Sequence, residues 1–273
     1  MAAVALARPH AIPDVSLRRL MADDPTMTTA GLIMLTLLLP MAVAGWLDPR
    51  MLDGEGIWVK PMKFSVSIAM FLLTLAAFAR HIPEVTRHHW LFRGFALAAA
   101  LAAVLEILWI GGAATLGVRS HFNESSALAG TIYGIMGLVA ILLTSASLVY
   151  GLAIWRNANT DLRPAMRLAI VMGLLLTFGL TLLTAGTLAG RGALIGLPDT
   201  GAVIPILGWS LEVGDLRVSH FFATHLLQII PLIVWLTAWT SPRAALGTSL
   251  ALALFTLGTY AQALAGLPFL PLG

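Results

Sequence analysis

Seven apolar stretches, each about as long as a bilayer-spanning helix, occupy most of this chain. A helix that rises about 1.5 Å per residue needs roughly 20 apolar residues to cross the hydrocarbon core. The seven spans cover residues 26–47, 61–79, 94–118, 126–152, 165–189, 218–239 and 244–267. Lipid offers no hydrogen-bond partner to an open backbone, so such segments must be helical. The sequence therefore predicts an all-α polytopic membrane protein, a bundle of seven transmembrane helices.

The composition excludes several other classes of protein. Hydrophobic residues make up 59% of the chain and charged residues 11%, which excludes a soluble domain. We expect an N-terminal tail, residues 1–25, and one transmembrane domain, residues 26–273, that holds any site. Because cysteine is absent, disulfides, thiolate metal sites and cysteine nucleophiles are excluded. The basic residues are spread over several loops, so nucleic acid is not an expected partner.

Lysine and arginine are divided unequally between the two sets of loops. Ten of the 16 lie on the side that holds the N-terminus, and six lie on the opposite side. These six are Arg50, Lys60, Lys63, Arg119, Arg191 and Arg217. Cytoplasmic loops carry the excess of basic residues. We therefore place the N-terminal tail in the cytoplasm and the C-terminus outside.

The only two lysines flank a proline in the motif WVKPMKF, residues 58–64. Pro61 suits the first position of a helix, which places Lys60 and Lys63 at the N-terminus of the second span. One reading is that both ammonium groups reach lipid phosphates. The other is a site for a carboxylate or phosphate, because a helix N-terminus already binds anions.

The next loop on this side, residues 119–125, also combines polar residues. Asn123 suits the N-cap of the fourth span, and Glu124 suits its first turn. Capping leaves Arg119 and His121 unexplained. We therefore count Arg119 and His121 among the candidate substrate-binding residues, together with both lysines.

The densest polar run is GDLRVSHFFATHLLQ, residues 214–228, which follows a long connection rich in glycine and proline. A connection of that length is often a lid or a re-entrant segment. At about 100° per residue, the polar side chains of this helix fall on one arc about 140° wide. Such an arc facing lipid would be very costly, so it must face the bundle interior or a wet cavity.

This run supplies most of the candidate site. We assign catalytic roles to Arg217, His220 and His225, and substrate-binding roles to Asp215 and Gln228. The two histidines are five residues apart and diverge by about 140°. They cannot form the i, i+4 pair that binds one metal in helical zinc motifs.

Glu106 lies near the middle of the third span, 12 residues from each predicted end. A carboxylate at that depth costs several kcal/mol unless it is paired or neutral, so Glu106 is a fourth catalytic candidate. We expect it either to pair with His225 or to donate a hydrogen bond as a neutral acid. By contrast, Thr177, Thr181 and Thr184 of the fifth span are read as hydroxyls that bond to their own backbone.

Three motifs carry a resemblance. WxKPxKF (58–64), SHFN (120–123) and GDLRxxHFxxxH (214–225) together resemble an uncharacterised family of bacterial seven-helix integral membrane proteins, over most of the chain. The resemblance implies a multi-pass protein, which we expect in the bacterial inner (plasma) membrane. It implies no activity.

This sequence fits the known cofactor sites of seven-helix membrane proteins poorly. A retinal protein needs a lysine in its last helix, and the seventh span has none. Zinc hydrolases of the ceramidase and adiponectin-receptor type use a His-x-x-x-His motif, and His220 and His225 have one residue too many. Whether the protein binds a metal or haem b is left open, because the sequence has no clear motif for either. The only candidate ligands are His121, His220 and His225.

Three functions remain in competition. The first is a membrane-embedded enzyme or redox protein that acts on an anionic or amphipathic small molecule from the outer (periplasmic) face. The second is a small proton-coupled transporter that uses Glu106 and the histidines of the sixth span. The third is an accessory or assembly subunit of a larger complex, or an oligomer. An enzyme predicts a closed pocket, a transporter a polar path to the inner face, and a subunit an exposed patch.

Overall fold

The computed structural model describes residues 14–123, 125–238 and 240–270. Its helices are α1 (Leu17–Asp23), α2 (Pro25–Leu47), α3 (Val59–Ala79), α4 (Glu84–His88), α5 (Trp90–Leu116), α6 (Ala127–Arg156), α7 (Pro164–Arg191), α8 (Leu216–Leu236) and α9 (Pro242–Leu264). Seven of these helices are long and apolar enough to cross a membrane. The predicted all-α bundle is confirmed, and the chain is a multi-pass membrane protein.

The helix ends differ from the predicted spans by a few residues, because helices continue beyond the hydrocarbon core. α3 begins at Val59, so Pro61 is not its first residue, and α5 begins four residues earlier than predicted. Ser126, and not Asn123, caps α6, with its side chain accepting from the Ala129 amide at 3.1 Å. Residues 1–13, Glu124 and the predicted end of the sixth span at residue 239 lie outside the described residues.

The long helices form two groups that α7 joins. α2, α3, α5 and α6 surround one apolar core, and α7, α8 and α9 surround a second. α7 enters both, through Leu174 on one side and Ala169 on the other. At Gly173, α7 approaches α8 so closely that a Cβ would lie 3.0 Å from the carbonyl oxygen of Leu226. Small residues permit this close packing of membrane helices.

The bundle has two polar ends. We call one the lysine end, made of residues 48–58, 117–123, 125, 126 and 192–215 together with the adjoining first turns of α3 and α8. It contains two small antiparallel sheets, β1 (Met51–Leu52) with β2 (Glu55–Gly56), and β3 (Leu194–Ile195) with β4 (Gly214–Asp215). The opposite end, which we call the N-terminal end, carries α1, α4 and residues 157–163, 237, 238, 240 and 241.

A buried carboxyl group ties the N-terminal end together. Asp24 caps α2 by accepting from the Met27 amide at 3.0 Å, and it also accepts a hydrogen bond from the Tyr150 hydroxyl of α6. Asp24 is 5% exposed and Tyr150 is fully buried. Burial raises the pKa of Asp24, while its hydrogen bonds act in the opposite direction. Next to it, Asp23 forms an ion pair with Arg80 at 3.3 Å.

Candidate functional site

Three of the predicted cations at the lysine end are held in ion pairs, which we call the rim pairs. The rim pairs are Lys63 with Glu55 (2.9 Å), Arg119 with Asp53 (2.9 Å) and Arg217 with Asp215 (2.6 Å). Each pair joins a residue of the predicted site to a carboxylate within the chain. Their charges are therefore already balanced without a ligand.

The long connection between α7 and α8 folds over the lysine end. Across residues 192–213 its backbone makes turns and a short strand, and it contains no helix. Arg217 Nη2 donates to the Gly208 carbonyl at 2.6 Å. Gly208 has a φ of +72°, and a Cβ at this position would lie 2.5 Å from Glu55 Oε1. The connection thus covers this end, with a hydrogen bond to one rim pair and close packing against Glu55 of another.

Asp215 has a structural task at the start of α8. Its carboxylate accepts from the backbone amides of Arg217 at 3.0 Å and Ser210 at 2.9 Å, besides its ion pair. The residue is 1% exposed. Most of the lone pairs of the Asp215 carboxylate are used by these contacts within the chain. Its part in substrate binding stays a prediction.

Lys60 differs from the other cations of the lysine end. It lies in the first turn of α3, and its Nζ is 5.8 Å from the centre of the Phe64 ring. It interacts electrostatically with Asp53, Arg119, Arg217 and Glu106. None of the ion pairs within 4 Å in the described ranges includes it. Lys60 is therefore a partly buried ammonium group without a direct counter-ion.

Glu106 faces the same region from α5. It is 4% exposed, and it lies ten residues before the end of α5 at Leu116, about 15 Å below the lysine end. It is therefore nearer this end than the predicted span placed it. The cation that interacts with it is Lys60, and the suggested pair with His225 is not among the ion pairs of the described chain. Glu106 Oε1 has no hydrogen-bond partner there.

His121 closes the site from the loop between α5 and α6. Its ring lies against Phe64 at 5.4 Å and Tyr133 at 6.1 Å between ring centres. Its Nδ1 is 3.1 Å from the Ser120 hydroxyl. Burial lowers the pKa of His121 to about 3, and the nearby Lys60 adds to this. His121 is therefore neutral at physiological pH.

His220 is oriented by a threonine of α7. His220 Nδ1 lies 3.0 Å from Thr184 Oγ1, and that hydroxyl also donates to the Leu180 carbonyl at 2.9 Å. Because the hydroxyl has one proton, it accepts from Nδ1–H, and Nε2 of His220 is left as an acceptor. The sequence predicted only a bond from Thr184 to its own backbone, which it makes, and the contact with His220 was missed.

His225 and Gln228 lie deeper on α8. His225 is 7% exposed, and its ring centre lies 4.5 Å from that of Phe221, with the two rings tilted by 55°. It also interacts with Gln228. Gln228 donates from Nε2 to Thr74 of α3 at 3.2 Å. His225 Nδ1 and Gln228 Oε1 have no hydrogen-bond partner among the described residues. Unpartnered buried polar atoms are uncommon in folded proteins and call for an explanation.

These side chains form one connected group. His121 interacts electrostatically with Lys60 and His220, and His220 does so with His225. In the described part of the chain, no three His, Asp or Glu side chains lie together as a metal site would require. The three histidines that the sequence offered as candidate ligands interact in two successive pairs, His121 with His220 and His220 with His225.

The floor of the site is apolar. Towards the N-terminal end, the side chains of α3 and α5 below Glu106 include Leu72, Leu75, Ala99 and Ala103, all fully buried. Two surface grooves of the described chain lie elsewhere, one between α7 and α9 and one beside α4. Neither is lined by a residue of the predicted site. The residues of the predicted site instead belong to the connected polar group described above.

Comparison with known protein families, curated proteins and solved structures gives no significant match to this chain. What the chain does is therefore inferred from the arrangement of Lys60, Glu106 and the histidines.

Proposed function

We propose that this chain is a membrane-embedded enzyme that binds a small anionic, amphipathic molecule at Lys60. The observation that carries the proposal is the ammonium group itself, which is partly buried and has no direct counter-ion among the residues that the structure describes. Of the other cations of the lysine end, three lie in the rim pairs and Arg50 pairs with Asp48 at 2.7 Å. A buried charge without a partner is costly, and an anionic ligand would remove that cost.

The surroundings of Lys60 suggest a role for each neighbour. Lys60 would hold the carboxylate or phosphate of the ligand. Glu106, with Oε1 unpartnered, would exchange a proton with the bound molecule. His121 is neutral and offers hydrogen bonds to the ligand, and the rings of Phe64 and Tyr133 offer an apolar surface to the rest of it.

The apolar floor favours an enzyme over a proton-coupled transporter. A transporter needs polar groups that continue to the opposite end of the bundle. Leu72, Leu75 and Ala99 occupy that direction instead. The rim pairs also disfavour an accessory subunit, because their charges are balanced within the chain and need no partner protein. We further propose, from the distribution of arginine and lysine, that the lysine end faces the periplasm of a bacterial inner membrane.

A comparison of two lysine variants tests this function. The purified chain in lipid nanodiscs would be incubated with a bacterial extract of phospholipids and short-chain acids, and the products would be followed by mass spectrometry. We expect an anionic compound to be consumed by the wild type and by Lys63→Gln, but not by Lys60→Gln.

Two outcomes would defeat the proposal. Either no compound is consumed by the wild type, or both variants retain the activity. Proton uptake by proteoliposomes on addition of decanoate, lost in Glu106→Gln, would instead establish the transporter.

A further inference from the structure

A groove lies in the outer wall of the bundle, between the C-terminal halves of α7 and α9. It has a volume of about 570 Å³. Its lining includes Leu182, Gly186, Thr187, Arg191, Tyr260 and Leu264. From Leu182 to Arg191 the groove runs about 14 Å along α7, at about 1.5 Å per residue. It shares no residue with the site around Lys60.

Glycine keeps this groove open. Gly186 and Gly190 both line it, and a Cβ at either position would meet no atom within 4 Å. The inner part of the lining is apolar, with Leu182 and Leu183 from α7. In a transmembrane bundle this wall faces lipid acyl chains, and an open apolar groove of this length is complementary to one of them.

The upper part of the groove is polar. Thr187 Oγ1 donates to the Leu183 carbonyl at 3.0 Å and lies 2.7 Å from Tyr260 Oη. Because Thr187 has a single hydroxyl proton, Tyr260 donates to it, and the tyrosine oxygen remains available as an acceptor. A polar pair in a wall that faces lipid is costly unless it meets a polar group.

Arg191 lies at the rim of the groove. It is the last residue of α7, its side chain is exposed, and no ion pair within 4 Å in the described ranges includes it. The end of a transmembrane helix lies at the level of the lipid headgroups. A guanidinium at that level carries donors in the geometry that phosphate oxygens accept.

We propose that this groove is a binding site for one anionic phospholipid. The lipid phosphate binds Arg191, the glycerol region meets the Thr187–Tyr260 pair, and one acyl chain lies along Leu182 and Leu183. The order of charged, polar and apolar groups down the groove matches that of a phospholipid. A free phosphate ion would leave the apolar part uncovered.

Native mass spectrometry of the purified full chain tests the site. The probes are dioleoylphosphatidylglycerol and, as the lipid without net charge, dioleoylphosphatidylcholine. We expect the wild type to retain the anionic lipid preferentially, and Arg191→Gln to retain it at least fivefold less. Arg243→Gln removes an exposed arginine at the other end of the bundle, and we expect it to behave as the wild type.

A second variant tests the groove independently of charge. Gly186→Leu adds a Cβ that meets no atom within 4 Å, and leucine favours the helix. Its side chain extends into the groove at the acyl position, so we expect retention of the anionic lipid to fall although Arg191 is intact. Equal retention in Arg191→Gln and the wild type would overturn the proposal. So would an equal loss in Arg243→Gln, or displacement of the lipid by inorganic phosphate alone.

Discussion

Lys60 of α3 and Glu106 of α5 interact electrostatically inside the bundle, yet neither belongs to an ion pair within 4 Å in the described chain. Glu106 is the deeper of the two, and its Oε1 is unpartnered. A ligand that binds between these side chains would complete the interactions of both. This relationship distinguishes Lys60 from Lys63, whose ammonium group is 2.9 Å from Glu55.

The two side chains should be coupled in stability. We expect Lys60→Gln and Glu106→Gln to show a coupling free energy of about 1 kcal/mol, because each single change leaves the other charge without its neighbour. The measurement is the free energy of unfolding of the wild type, both single variants and the double variant. Additivity to within about 0.3 kcal/mol would mean that the two groups do not sense each other.

His121 should make the protein less stable in mild acid. The pKa of His121 is about 3 in the folded chain, against 6.5 for an ordinary histidine, the value taken for the unfolded chain. Between these two values the folded state therefore binds fewer protons than the unfolded state. The free energy of unfolding therefore rises with pH through this window. Lowering the pH from 7 to 5 should cost about 2 kcal/mol through this residue.

The control for this prediction is His121→Gln, which cannot titrate. We expect its loss of stability between pH 7 and pH 5 to be smaller than that of the wild type by about this amount. An identical loss in both proteins would show that His121 is accessible to water when folded.

The Asp24–Tyr150 contact should stabilise the N-terminal end. Tyr150→Phe removes a hydrogen-bond donor from a buried carboxyl group and should lower the free energy of unfolding by about 1–3 kcal/mol.

Burial raises the pKa of Asp24 above 3.8. The contribution of Asp24 to stability is therefore present below pH 3.8 and is lost as the pH rises through the pKa of the folded state. Asp24→Asn should remove this pH dependence, and thermal unfolding at several pH values would reveal whether it persists.

Gly208 and Gly54 form a matched pair of glycines at the lysine end. Both have positive φ, of +72° and +83°, but a Cβ at Gly54 meets nothing within 4 Å, whereas one at Gly208 would lie 2.5 Å from Glu55. We expect Gly208→Ala to lower the melting temperature more than Gly54→Ala, because it must also displace a rim pair. Equal effects of both changes would leave only backbone strain, about 1 kcal/mol each.

The orientation can be measured directly because the chain has no cysteine. Ser125 at the lysine end and Asn159 at the N-terminal end are both exposed, and each can be replaced singly by cysteine. In intact cells we expect an impermeant maleimide to label Ser125→Cys and not Asn159→Cys. Labelling of Asn159→Cys alone would reverse the proposed topology.

The sequence by itself determined the seven helices and the end of the bundle at which polar residues gather. Hydropathy over roughly 20 residues is a local property, and the length of a bilayer-spanning helix is fixed by the membrane. For the same reason the polar arc of α8 could be read from helical geometry alone. The N-cap of α6 was predicted wrongly, because capping by Ser126 is a local hydrogen bond that the hydropathy pattern does not record.

Only the tertiary structure decided which cation of the lysine end is left without an ion pair among the described residues. Lys63, Arg119 and Lys60 look alike in the sequence, but the turn between β1 and β2 brings Asp53 and Glu55 to the first two and not to Lys60. In the same way, Glu106 interacts with Lys60 because α3 lies beside α5, whereas His225 interacts with Gln228 on its own helix. The Arg119–Asp53 and Lys60–Glu106 pairings join residues far apart in the chain. They depend on how whole segments pack, which the periodicity of any one helix does not encode.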